Sequence, residues 1–136
     1  MKSKQTKGYT FAVGRRKSAT ARVRIFKGSS ENLVNGKKVK EIFTDKVSEI
    51  VINKPFKLTQ TEGQYFFTAK TSGGGKYGQI EAIVHGIAKA FDKINSDKFR
   101  SVLKKAGLLT RDSRVRLRRM VGTGGKARRQ KQSPKR

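Results

Sequence analysis

Gly73, Gly75 and Gly78 stand at the G-x-G-x-x-G spacing with which a dinucleotide-binding turn brings a pyrophosphate to a helix N-terminus. An apolar alternation precedes them and a helical pattern follows, as such a turn requires. The fingerprint also needs a parallel strand after the helix and an acid near that strand's end. A second helical pattern and a basic tail follow instead, so no nucleotide cofactor is expected. What remains is a glycine-rich helix start whose free N–H groups, with Lys76 beside them, suit a phosphate of an RNA backbone. His85 is the only histidine, lies off the apolar stripe of its helix, and has no acid or cysteine at ligand spacing. A structural or RNA-contacting role is expected of it, not a metal site. Ser18 sits beside Arg15, Arg16 and Lys17 but has no base–orienter pair to make it a nucleophile. The nine acids are scattered singly and cysteine is absent, so neither catalysis nor a metal is expected.

Charge points elsewhere. The 136 residues carry 34 Lys and Arg against 9 acids, a formal net of +25. A field of that strength draws polyanions, with nucleic acid the leading partner and an anionic membrane surface the alternative. No run approaches the roughly 18 apolar residues of a membrane span, and no membrane partner is expected. Met1–Lys7 is basic with no apolar stretch behind it, which does not resemble a secretory signal.

The charge is densest from Arg111 to Arg136, where eleven Lys and Arg face the single acid Asp112, a net of +10. Val115, Leu117, Met120 and Val121 are too few to offset the ordering entropy of that stretch. It is expected to be an extended arm that a polyanion orders, with Arg111, Arg114, Arg116, Arg118, Arg119, Lys126, Arg128, Arg129 and Lys131 as its phosphate contacts. Three parts follow: a disordered lead-in over 1–7, one α/β body over 8–110, and the arm over 111–136.

The elements of the body are read from periodicity. Tyr9, Phe11 and Val13 alternate with Thr10 and Ala12, predicting a strand over 8–13. A tight basic turn is expected over Gly14–Ser18. A second strand follows, with Ala19, Ala21, Val23 and Ile25 buried and Arg22 and Arg24 displayed beside Arg15, Arg16 and Lys17. Asn35-Gly36 marks a two-residue hairpin turn. A helix is expected from Lys40 with Ile42, Phe43, Val47, Ile50 and Val51 inward, stopping before Pro55. Gln64–Thr71 reads as a strand with Tyr65, Phe67 and Ala69 inward and Phe66 in a covered core position. Ile80, Ile83, Val84, Ile87, Phe91 and Ile94 form a helical stripe. The last helix starts with Ser96 as N-cap, buries Phe99, Val102, Leu103 and Ala106, and ends at Gly107 with Leu108 folded back on Leu103. The fold class is α+β, a sheet with two or three helices packed on it.

These residues also resemble a known family. Gly14-Arg-Arg-Lys-Ser-Ala-Thr-Ala-Arg-Val23, Gly73-Gly-Gly75 with Gly78-Gln79, Ala82-Ile83-x-His85-Gly86-Ile87, Leu103–Gly107 with Thr110–Arg114, Lys126–Arg129 and the closing Lys135-Arg136 are similar in order and type to the motifs of the small-subunit ribosomal protein S-nine family of bacterial type. The resemblance implies a two-layer α/β sandwich, like the second domain of ribosomal protein S-five. It further implies a left-handed crossover, against the usual right-handed rule, and a long basic C-terminal extension. It implies a structural constituent of the small-subunit head in a cytoplasmic or organelle ribosome, bound to the 3′ major domain of 16S-type rRNA. Head proteins seven, ten and fourteen would be its neighbours, and Lys135 and Arg136 would contact the anticodon stem-loop of P-site tRNA. The chain departs from the pattern at Val115–Arg119, which lacks an acid among the basics, at Thr123-Gly-Gly125, and at Gln132-Ser-Pro134, where proline stiffens the tip. A general nucleic-acid-condensing protein, for which a basic tail also serves, is the competing expectation.

Overall fold

A computed structural model of the chain describes residues 8–122; the lead-in over 1–7 and positions 123–136 lie outside the described residues. The described chain forms a five-stranded sheet with helices. In chain order the elements are β1 (Tyr9–Arg16), β2 (Ala19–Lys27), β3 (Leu33–Val34), β4 (Lys37–Lys38), α1 (Val39–Ile42), α2 (Lys46–Thr59), β5 (Tyr65–Ser72), α3 (Lys76–Ile94) and α4 (Ser96–Lys105). The strands lie in the order β1-β2-β5-β3-β4. β1 pairs antiparallel with β2, β2 with β5 and β3 with β4, while β3 pairs parallel with β5. The connection from β3 to β5 through α1 and α2 is therefore a crossover, which parallel pairing requires.

Period-two alternation explains the two faces of the sheet. Ala12, Ala19, Ala21, Val23, Ile25, Val34, Phe67 and Ala69 are buried under the helices. α3 contributes the expected stripe of Ile80, Ile83, Val84, Ile87 and Phe91, all buried. Phe91 is the junction of the core: its ring meets Phe56, Tyr65 and Phe99 edge-on, with centroids 5.1, 5.7 and 5.6 Å apart. Such pairs add about 0.5–1.5 kcal/mol each beyond their burial. One contact demands glycine on both sides. A Cβ on Gly14 would run into the backbone of Ala82 and Gly86, and one on Gly86 would come within 2.6 Å of the Val23 side chain. β1 and α3 thus approach at backbone distance. α3 also reaches the outer edge of β1, where Lys93 Nζ donates to the carbonyl of Phe11 (2.9 Å) and the Arg15 N–H donates to His85 Nδ1 (3.3 Å).

Several expectations are corrected. β1 runs through Arg16, so the turn is only Lys17-Ser18, with Lys17 at φ 51°. The expected helix from Lys40 is two helices, broken at Phe43–Asp45, and the second passes through Pro55 instead of stopping before it. A mid-helix proline costs about 3 kcal/mol. Here Pro55 and Phe56 are both buried, and burial of side chains of this size contributes about 1.5–3 kcal/mol each. Val47 and Ile50 are exposed, and Ser48, Ile52 and Phe56 face the core in their place. Phe66 stacks on Phe26 (5.1 Å, 12° between planes) on the face away from the helices, outside the core. Asn95, not Ser96, caps α4, its Oδ1 accepting from the Lys98 N–H at 3.1 Å. Val102 is exposed and Ala106 half-buried. The end of α4 is as expected: Gly107 at φ 71° donates to the Lys104 carbonyl and Leu108 to that of Leu103.

Candidate nucleic-acid interface

Apart from Arg16, the basic site residues expected in the body fall in two places. The first is the end of the sheet that carries the Lys17-Ser18 turn. Gly73 and Gly74, at φ 71° and 68°, lie so close to Ser18 and Ala19 that a Cβ on either would come within 3 Å of them. The glycine segment is therefore needed to seat the start of α3 on this turn, and it brings Lys76 to the same end as Arg15 and Lys17. Its helix start has Gly75 as N-cap with no side-chain cap bond.

Arg16 has a different place. Alternation with Ala12 and Gly14 turns it inward, and its side chain is only 11% exposed. Its Nε donates to Glu81 Oε2 (2.7 Å), its Nη1 to the carbonyl of Arg114 (2.7 Å), and its Nη2 lies 3.2 Å from Asp112 Oδ2. Asp112 in turn takes a fork from Arg114, whose Nη2 is 2.8 Å and Nε 3.1 Å away, and accepts the Arg114 N–H at 3.0 Å. Arg16 thus ties the β1–β2 hairpin to α3 and to the segment leaving the body. The Arg114 guanidinium and backbone N–H hold the Asp112 carboxyl well below the usual carboxylate range, with Arg16 adding to the effect. His85 is half-buried in the same neighbourhood. Burial and the charge of Lys89 lower its pKa, opposed by hydrogen bonding at the Leu109 backbone, with Arg111 lowering it further. Accepting from Arg15 at Nδ1, its neutral ring carries the proton on Nε2.

The second place is the sheet face away from the helices. Arg22 and Arg24 are exposed there, and the strand register sets Lys70 directly beside Arg22. Lys70 is a cation that composition alone does not single out; the pairing of β2 with β5 reveals it. The Arg24 guanidinium lies 5.2 Å from the Tyr9 ring centroid, and Tyr9, Phe26 and Phe66 form a row of rings across three strands.

Arg111, Arg114, Arg116, Arg118 and Arg119 are exposed along a stretch without regular structure, as are Val115, Leu117, Met120 and Val121. The structure thus gathers Arg15, Lys17, Lys76, Arg111 and Arg114 about one end, places Arg22 and Arg24 on the open face, and turns Arg16 inward. Lys126, Arg128, Arg129, Lys131, Lys135 and Arg136 lie outside the described residues. Among the described residues no group of three His, Cys, Asp or Glu could hold a metal ion, and no helix is long and apolar enough to cross a membrane.

Known proteins match the chain along most of its length. The chain is 41% identical over 120 residues to a small ribosomal subunit protein uS9 of Maridesulfovibrio salexigens, covering 88% of this chain and 92% of that protein. It is 43% identical over 125 residues to a protein of the same name from an Arthrobacter species, covering 92% and 74% respectively. The family described as ribosomal protein S9/S16 matches residues 14–136, a span holding both basic regions of the body and the whole tail. By that match and by these relatives, the chain belongs to the ribosomal protein S9/S16 family and is a ribosomal protein of the small subunit.

Proposed function

We propose that this protein is a structural constituent of the small-subunit head that binds the 3′ major domain of 16S-type rRNA in the cytoplasm. In this reading the body over 8–110 docks on RNA and the arm over 111–136 threads into it. The observation that carries the reading is the combination of the family match over 14–136 with a net +10 concentrated in Arg111–Arg136. Compact RNA crowds phosphates together, and arginine neutralises them while holding two oxygens at once. Thirteen residues from Gly124 to Arg136 can span roughly 43–47 Å when extended, a reach suited to the interior of a folded RNA.

At the tip, Lys135 and Arg136 are assigned to the P-site tRNA anticodon stem-loop, where two cations would stabilise seating without reading sequence. Head proteins seven, ten and fourteen are assigned as neighbours, and the β3-to-β5 connection as the family's left-handed crossover. The work is binding and positioning; catalysis has no part in it.

Two deletions test the reading. Removal of Arg111–Arg136 should impair incorporation into head particles, and undiminished incorporation would overturn the role given to the arm. Removal of Lys135 and Arg136 should weaken P-site tRNA retention in filter binding while leaving assembly intact. Normal retention would remove the tRNA contact from the proposal. Wild-type binding to the head rRNA should also outlast binding to duplex DNA across a salt series, because phosphate contacts alone decline with salt on both polymers. A parallel decline of both would favour a general condensing protein.

A further inference from the structure

The open face of the sheet carries a groove whose chemistry is not that of a plain phosphate patch. The register builds it in rows. Phe11 on β1 stands opposite Arg24 on β2, Arg24 opposite Thr68 on β5, and Thr68 opposite Leu33 on β3. One row along, Val13, Arg22 and Lys70 align. Between these rows lies a groove of about 320 Å³, lined by Phe11, Arg22, Arg24, Leu33, Thr68 and Lys70 among others, and none of its lining residues is acidic.

Phe11 is the informative residue. The neighbouring aromatic row is satisfied within the protein: Tyr9 meets Phe26 at 5.5 Å, Phe26 stacks on Phe66 at 5.1 Å, and Arg24 covers Tyr9. Phe11 has none of these ring contacts and is 43% exposed, although its backbone is pinned by Lys93 at the sheet edge. A phenylalanine exposed on a sheet strand beside three cations offers a π face next to phosphate-binding groups. Side chains on a strand stand two residues apart on one face, about 7 Å, so Arg22 and Lys70 lie one row along from Phe11 while Arg24 shares its row.

We propose that this groove binds an unpaired nucleotide of RNA, with the base stacked on Phe11 and the flanking phosphates held by Arg22, Arg24 and Lys70. The occupant is an RNA segment and not a protein because every charged residue lining the groove is a cation; a protein partner would need a compensating acidic surface. Stacking of a base on an aromatic side chain is sequence-tolerant, and groups of this kind serve single-stranded segments in other sheet-faced binders. The inference rests on the RNA-binding reading above and adds a base-contacting residue that charge does not predict.

The test uses the full chain and two probes: a transcript of the rRNA 3′ major domain and a short oligouridine. Phe11→Ala and Phe11→Leu should each weaken binding to both probes by about tenfold, within the range stacking residues show, while leaving the salt slope unchanged. Loss in Phe11→Leu matters because leucine keeps apolar bulk and removes the π face. The triple change Arg22→Ala, Arg24→Ala, Lys70→Ala should instead flatten the slope of log affinity against log salt by about 2, near 0.7 per phosphate contact for a single strand. Since the chain has no tryptophan, Phe11→Trp supplies a single fluorophore that oligouridine should quench at retained affinity. Circular dichroism checks that each variant is folded. Wild-type affinity for both probes in folded Phe11→Ala, with no quenching of Phe11→Trp, overturns the proposal. So does a loss confined to binding of a neighbouring protein. If the wild-type protein shows no preference for the transcript over duplex DNA, the proposed recognition of head rRNA fails alone, and the oligouridine results still decide the stacking.

Discussion

Replacing Arg16 by methionine removes the guanidinium that joins β1, α3 and the root of the C-terminal segment while keeping most of the side-chain stem. Three polar contacts vanish: those to Glu81, to Asp112 and to the Arg114 carbonyl. Severing a wholly buried ion pair costs about 3–5 kcal/mol. Here the partners recover water, since the Glu81 side chain is 52% and Asp112 34% exposed, and Asp112 keeps Arg114. The methionine also spares the desolvation of a charge. A net loss of about 2 kcal/mol is expected, which at urea slopes usual for a domain of this size moves the unfolding midpoint by about 1 M.

A local readout is sharper. The Arg114 carbonyl that Arg16 holds belongs to the Arg114–Val115 peptide bond, a bond that trypsin attacks. Loss of about 1.4 kcal/mol of local restraint should raise cleavage there about tenfold, followed by mass spectrometry to separate it from cuts at Arg116, Arg118 and Arg119. Arg16→Ala should lose more stability than Arg16→Met, because the packed stem goes as well. A methionine variant with the wild-type urea midpoint and unchanged cleavage after Arg114 would refute the idea that Arg16 anchors the arm.

Gly86→Ala should destabilise the protein by about 1–3 kcal/mol through overpacking against Val23. Gly14→Ala should cost more, because its new methyl meets α3 backbone that cannot rotate away; an unchanged melting temperature for either would contradict the close approach. For His85, the folded-state pKa lies below the ordinary 6.5. Its contribution to stability is therefore fully present above pH 6.5 and is lost as pH falls through the folded value. Urea midpoints should decline between pH 7.5 and pH 5, and His85→Asn should flatten that decline; an identical profile in the variant would remove His85 as its source. Asp112 is also shifted downward, so the Arg16–Asp112 contact persists at pH 4 and gives way only in stronger acid.

Much of the scaffold could be read before folding because single periodicities fix it. The alternation of Ala19, Ala21, Val23 and Ile25, the stripe from Ile80 to Phe91, Asn35-Gly36 as a hairpin turn and Gly107 with Leu108 as a helix end each follow from local geometry. The face of α2 did not follow. Val51 packs against the core as expected, but Val47 and Ile50 compete with Ile52, Pro55 and Phe56 for the inward side, and packing against Phe67 and Phe91 decides in favour of the latter. Arg16 was legible in principle, since it continues the period-two series of Ala12 and Gly14, but a run of three basic residues reads as a turn. Asn95 and Ser96 are both good caps, and only the folded chain chooses between them. The pairing of Lys70 with Arg22 is a matter of register between strands about fifty residues apart, which no local pattern encodes. Of the candidate interface, the tail was legible as charge, whereas the groove beside Phe11 exists only once four strands are side by side.

The way α3 reaches over the edge of β1 has a meaning for the protein's life before it meets RNA. An open sheet edge is a template on which a second copy can add its own strand. On the β1 side, two outward backbone groups are already taken by His85 and Lys93. On the other side the terminal strand is Lys37-Lys38, two exposed residues, both cationic. One rim is partly occupied and the other is short and charged, so like meets like only with repulsion. A chain of net +25 made ahead of its RNA is thereby discouraged from polymerising through its sheet, and its adhesive surfaces are left to those that suit a polyanion.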